Sequence, residues 1–103
     1  MKPLDCSLTL VCHQSVEELL VGHLLEHPEL VHGFSVRQIE GGSQKEVLHS
    51  MREQVRGRSR RVEICAVMNL EDARDLIAHF KAESPNPEIA YWITPVIEFG
   101  RLA

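Results

Sequence analysis

Apolar and polar residues alternate from Leu4 to Cys12. Leu4, Cys6, Leu8, Leu10 and Cys12 share one side, and Asp5, Ser7, Thr9 and Val11 the other. A period of two is the mark of a β-strand with one face in a core. The period then lengthens. Val16, Leu19, Leu20 and Leu24 recur at helical intervals behind Ser15 and Glu18, which have the spacing of a capping box. Pro28 ends this helix, since the residue before a proline is pushed out of the helical region. Gly33 turns the chain into a second strand, Phe34 to Ile39, which stops at Gly41-Gly42. A third strand, Arg61 to Met68, carries Val62, Ile64, Ala66 and Met68 on one side and Arg61, Glu63, Cys65 and Val67 on the other. Asn69 opens a second helix whose early acids, Glu71 and Asp72, suit its dipole. Leu70, Ala73, Leu76, Ile77 and Phe80 form its apolar stripe, and Ser84-Pro85-Asn86-Pro87 breaks it. A last strand is expected over Ile89 to Phe99, with Tyr91, Ile93 and Ile97 on one face and Trp92 and Val96 on the other. Pro95 within it marks an edge or a bulge.

The order β-α-β-β-α-β predicts an α+β, ferredoxin-like fold: a four-stranded antiparallel sheet with two helices on one face. One domain accounts for all 103 residues. The face without helices would hold Val11, Ile39, Val67 and Trp92 among polar residues. That is too apolar for open solvent, so self-association is expected.

Strands two and three are separated by Gly41 to Gly57, too long for a tight turn and too polar for a core. Ser43 and Glu46 repeat the capping-box spacing, and Val47, Met51 and Val55 fall on one helical side. Residues 44–56 are therefore expected to form a one-sided helix, which either packs on its own assembly or moves to dock a partner. Of the 11 basic residues, five cluster here: Arg52, Arg56, Arg58, Arg60 and Arg61. Guanidinium groups at this density suit a phosphate, a carboxylate ligand or an acidic partner. Gln44, Arg52, Arg56, Arg58 and Arg60 are the candidate ligand- or partner-binding residues. The bland alternative is a solvated strand end paired with Glu46, Glu53 or Glu63.

The net charge of −4 confines this basic character to the insert and speaks against nucleic acid. Strands one and three also lack the aromatic residues on which RNA-binding relatives of this topology stack bases. No Ser/His/Asp or Cys/His set has a recognisable motif, so no enzymatic activity is expected. Among 6 histidines, His23 and His27 lie four apart on helix one, with His32 just beyond, and these three are the candidate metal ligands. Three cysteines without a pairing pattern predict reduced thiols. Cys6 and Cys12 share a face but lie about 20 Å apart along a strand, too far to hold one ion together. The start, Met-Lys-Pro-Leu-Asp, does not read as a signal peptide, and a cytoplasmic location is expected.

Two stretches carry a family resemblance: the insert with Glu53-Gln54-Val55-Arg56-Gly57-Arg58, and the segment Glu88 to Val96 with Gly100. With the element order, they make the chain resemble the PII-like superfamily, which includes the nitrogen regulatory PII proteins and the CutA divalent-ion tolerance proteins. The insert occupies the position of the PII T-loop. The resemblance implies a homotrimer with sheets turned inward, ligand clefts between subunits, and a regulatory or adaptor role toward a membrane transporter or a regulatory protein. Its CutA side implies the alternative, metal binding or metal tolerance. The PII nucleotide loop, Thr-Gly-x-x-Gly-Asp-Gly-Lys, is replaced here by Ala82 to Glu88, which has two prolines and no glycine. A phosphate cradle needs free amide donors, so PII-type nucleotide binding is not expected, whereas a smaller anion is. The uridylylated T-loop tyrosine is missing as well; the only tyrosine is Tyr91.

Overall fold

A computed structural model describes residues 2–42 and 59–103. Strand β1 (Cys6–His13) leads through a 3-10 turn, Gln14–Val16, into helix α1 (Glu17–Leu25). Strands β2 (Ser35–Gly41) and β3 (Ser59–Met68) follow, then helix α2 (Leu70–Glu83) and strand β4 (Ala90–Pro95). The strands form one sheet in the order β2-β3-β1-β4, every neighbouring pair antiparallel. This is the expected ferredoxin-like arrangement.

Register fixes which residues share a face. Leu8 lies opposite Ala66 and Ile93, and Leu10 opposite Ile64 and Tyr91. These positions turn toward the helices. There Cys6, Leu8, Leu10, Cys12, Val62, Ile64 and Met68 close on Leu20 and Leu24 of α1 and Ala73, Leu76 and Ile77 of α2. Burying a side chain of this size contributes about 1.5–3 kcal/mol. The core thus sits between the sheet and the helices.

Helix α2 starts where the sequence places it, and the reason is local. Asn69 Oδ1 accepts the amides of Glu71 (3.1 Å) and Asp72 (3.4 Å), while its Nδ2 donates to the Pro3 carbonyl (3.0 Å). Asp5 Oδ1 accepts the Leu70 amide at 2.9 Å. These acceptors satisfy the orphan donors of the first turn. Lys2 Nζ bonds Asp72 Oδ1 at 2.8 Å, and that carboxylate raises the Lys2 ammonium above its ordinary value.

Helix α1 departs from expectation. The Ser15 side chain does not cap it. The ring of His13 takes the Ser15 amide on Nδ1 at 3.1 Å, and the chain runs through a 3-10 turn before α1 opens behind Val16. The helix is consequently short, and Leu19 stays 59% exposed instead of joining the core with Leu20. The last strand also ends early. Its partner β1 begins at Cys6, opposite Pro95, so no ladder remains for Ile97 or Phe99. One further bond, from the Val96 amide to the Asp5 carbonyl, ties the exit down. Beyond it Ile97 and Leu102 are fully exposed. The helix expected over residues 44–56 lies outside the described residues.

Candidate functional site

The base of the insert is the first place to look. Strands β2 and β3 stay paired to their ends, at Gly41 and Ser59. Gly41 is needed there. A Cβ at this position would stand 2.5 Å from Cδ and 3.0 Å from Nε of Arg61, whose stem crosses the glycine. The guanidinium Nε donates to Ser59 Oγ at 3.0 Å, and Ser59 is only 1% exposed. Arg60 points the other way: it lies opposite Glu40 on the helix side of the sheet and is exposed. Adjacent strand residues project to opposite faces, so Arg60 and Arg61 do not form a single surface. Gln44, Arg52, Arg56 and Arg58 lie outside the described residues.

The face without helices carries a polar row across its middle. Arg37 pairs with Glu63 at 2.6 Å, the Cys65 thiol donates to the same carboxylate at 3.6 Å, and Thr9 Oγ1 lies 3.6 Å from Cys65 Sγ. The one glutamate of the expected solvated pairing that is described, Glu63, is therefore held by Arg37. Around this row sit Val11, Val67, Ile39 and Trp92, the last 46% exposed. Cys65 belongs to this face and Cys12 to the other, so the two cannot share an ion. Burial is the main reason the Cys12 thiol is pushed up to about 11, with Glu17 adding to it. Burial likewise raises Cys6, followed by the charge of Asp5. Neither is a ready nucleophile or metal ligand. At one end of this face a cavity of about 710 Å³ opens between Cys65, Val67, His32, Phe34 and the C-terminal residues Phe99 and Arg101.

The histidines lie along the two helices. His23 Nε2 bonds Ser84 Oγ at 3.1 Å, and its ring meets Phe80 edge-on at 5.7 Å. His23 Nδ1 is buried without a hydrogen bond; Glu26 and Glu83 carboxylates stand 3.7 and 4.0 Å away. His27 turns elsewhere. Its ring stacks on His79 at 4.8 Å, and its Nδ1 donates to Glu29 Oε1 at 3.2 Å. Glu29 is held below the ordinary carboxylate value by its own backbone amide first and by His27 second. His32 lines the cavity at the open face. His23, His27 and His32 are thus not brought together, and among the described residues no three His, Cys, Asp or Glu side chains converge on a point. His79 was not singled out in the sequence; only the packing of α2 on α1 brings it to His27.

A groove that the sequence did not announce opens between the helices and β4. It measures about 230 Å³, with walls from Leu20, Ile77, Phe80, Ile89 and Tyr91 and polar groups from Lys81, Ser84 and Asn86. The turn beside it is fixed by Asn86, whose Oδ1 accepts the Glu88 amide (2.9 Å) and whose carbonyl accepts that of Ile89 (3.1 Å). Among the described residues no helix is long and apolar enough to cross a membrane.

Comparison with known proteins follows this geometry. No curated protein matches the sequence. A DUF3240 family protein from Shewanella baltica aligns with a TM-score of 0.76 at 19% identity, covering 98% of this chain and 99% of that one. A nitrogen regulatory PII-like protein from Thiomonas intermedia, solved with ADP, AMP and bicarbonate, aligns with a TM-score of 0.71 at 13% identity over 94% and 93% of the chains. CutA1 from Pyrococcus horikoshii aligns with a TM-score of 0.65 at 12% identity over 92% and 86%. The fold is therefore one that PII-like and CutA structures share. The family described as "Protein of unknown function (DUF3240)" matches residues 4–103, and this chain belongs to it.

Proposed function

We infer that the protein is a non-catalytic regulatory or adaptor protein of the PII-like kind. It works as a homotrimer, takes a small ligand or a partner protein in the clefts between copies, and uses residues 41–57 as its effector arm. One observation carries the assembly: the protein leaves two apolar surfaces uncovered at once. The sheet has helices on one face only, and its other face carries Val67, Ile39 and Trp92. The segment after β4 ends in Ile97 and Leu102 with their side chains in solvent. A second copy covers both at the cost of ordering little, because β4 and its exit are already fixed at Asp5.

The ligand is smaller than a nucleotide. The Thiomonas relative was solved with ADP, AMP and bicarbonate. Here the turn from Ser84 to Glu88 commits the Glu88 and Ile89 amides to Asn86, and Pro85 and Pro87 have no amide hydrogen to give. A partner is reached through the insert, since its base is anchored by Arg61 across Gly41. Light scattering at micromolar concentration is expected to return three copies, and a monomer would end this reading. Capture from native lysate, with and without residues 43–57, then separates adaptor from bystander: the partner is expected to be lost with the insert.

A further inference from the structure

We propose that the groove between α1, α2 and β4 is a binding site for a small apolar carboxylate, a molecule with one ring or a short branched chain and a single anionic head. The proposal names the ligand class for the regulatory reading above and rests on it only in expecting a small ligand.

The walls select the body of the ligand. Leu20, Ile77, Phe80 and Ile89 offer hydrocarbon and Tyr91 a ring face. The volume, about 230 Å³, falls below the roughly 300 Å³ floor of pockets for drug-sized ligands, so the body is small. The polar lining selects the head. Among the described residues no carboxylate lines the groove itself, although Glu26 and Glu83 stand 3.7 and 4.0 Å from Nδ1 of His23 in its wall; Lys81 supplies a formal positive charge and Asn86 a neutral donor. The ammonium of Lys81 is parked 5.4 Å from the centroid of the Tyr91 ring, at the groove's own wall.

Asn86 is oriented for the same task. Its Oδ1 is committed to the Glu88 amide, which fixes the way the side-chain amide faces. Its Nδ2 carries the two remaining hydrogens and is a donor only. The Ser84 hydroxyl is taken up by His23 Nε2, 3.1 Å away, and leaves the head to Lys81 and Asn86. An apolar groove that places a lysine and an amide donor in its lining is complementary to an anion with an apolar body.

The test uses the full chain, with phenylacetate as the probe and 2-phenylethanol and acetate as its neutral and truncated counterparts. Calorimetry gives affinity, and amide chemical-shift mapping gives location. Phenylacetate is expected to saturate and to move the amides of Ile77, Phe80, Asn86 and Tyr91. Both counterparts are expected to bind about tenfold more weakly or worse, the cost of losing a charged hydrogen bond or the apolar body. Lys81→Gln, at an exposed position, is expected to erase the preference for phenylacetate over 2-phenylethanol. Arg74→Gln, on the same helix but outside the groove, is expected to keep it. Absence of saturation, shifts confined to the Arg60–Arg61 end, or an undiminished preference in Lys81→Gln would overturn the proposal. Light scattering on the same samples separates the two readings. A monomer with phenylacetate in the groove removes the trimer and leaves the site, and a trimer with no saturation does the reverse.

Discussion

Replacing Gly41 by alanine sets two effects of opposite sign against each other. Alanine restricts the unfolded chain and, at a backbone angle it tolerates, stabilises by about 0.4–1 kcal/mol. Gly41 has no left-handed backbone angle to forbid this gain. Against it stands the contact: the new methyl would meet Arg61 Cδ at 2.5 Å and Nε at 3.0 Å. These atoms lie in the middle of the side chain, so the guanidinium must swing away and release Ser59 Oγ, buried to 1% exposure. A hydrogen bond from a charged donor is worth about 1.5–3 kcal/mol, and this one is given up. The loss wins, and Gly41→Ala is expected to destabilise by about 1–2 kcal/mol. Urea unfolding at fixed protein concentration measures it, because an associating chain has concentration-dependent stability. The decisive step is the background. In Arg61→Ala the obstacle is gone, and Gly41→Ala should turn stabilising by about 0.5 kcal/mol. If the glycine change is neutral or favourable in both backgrounds, Arg61 moves aside freely and does not anchor the base of the insert.

The helix-side thiols should be protected: iodoacetamide at pH 8 is expected to label Cys6 and Cys12 only after unfolding, and early labelling of Cys12 would contradict its burial. Because the folded Cys12 thiol titrates near 11 against 9.0 in a free chain, the unfolded state loses its proton first. Stability is therefore intact well below pH 9 and falls by roughly 2–3 kcal/mol as the pH rises through 11, an effect Cys12→Ser should remove in a urea series. Asn69→Ala removes the acceptor of two amides and is expected to cost about 1–2 kcal/mol, with Asn69→Asp recovering most of it; equal losses in both would show that the bond to the Pro3 carbonyl matters more than the cap. ATP and ADP at millimolar concentration are expected to leave the melting temperature unchanged, and a rise that disappears in Arg58→Ala would reinstate nucleotide binding.

Much of the architecture was legible because each face of the sheet is chemically one-sided. The alternation at Cys6, Leu8, Leu10 and Cys12, and again at Val62 to Met68, leaves a single register that buries both sets. Asn69 was readable as the start of α2 because its cap depends only on residues two and three ahead. Ser15 misled because a ring only two residues before it, at the end of β1, took the amide that its capping role required. The apolar alternation past Pro95 misled because a strand needs a partner as well as a pattern, and β1 has none to offer beyond Cys6. The groove was out of reach altogether. Leu20, Ile77, Ser84, Asn86 and Tyr91 meet only through packing, and no spacing along the chain announces them.

The closure of β2 on β3 at Gly41 and Ser59 has a consequence for how such a protein diversifies. Once the two strand ends are pinned, each doubling in length of the segment joining them costs only about 0.6 kcal/mol in chain entropy. Exchanging that segment for another is therefore expected to leave standing the core that the described strands and helices build between them. A foreign loop grafted between Gly41 and Ser59 should inherit the scaffold of sheet and helices intact.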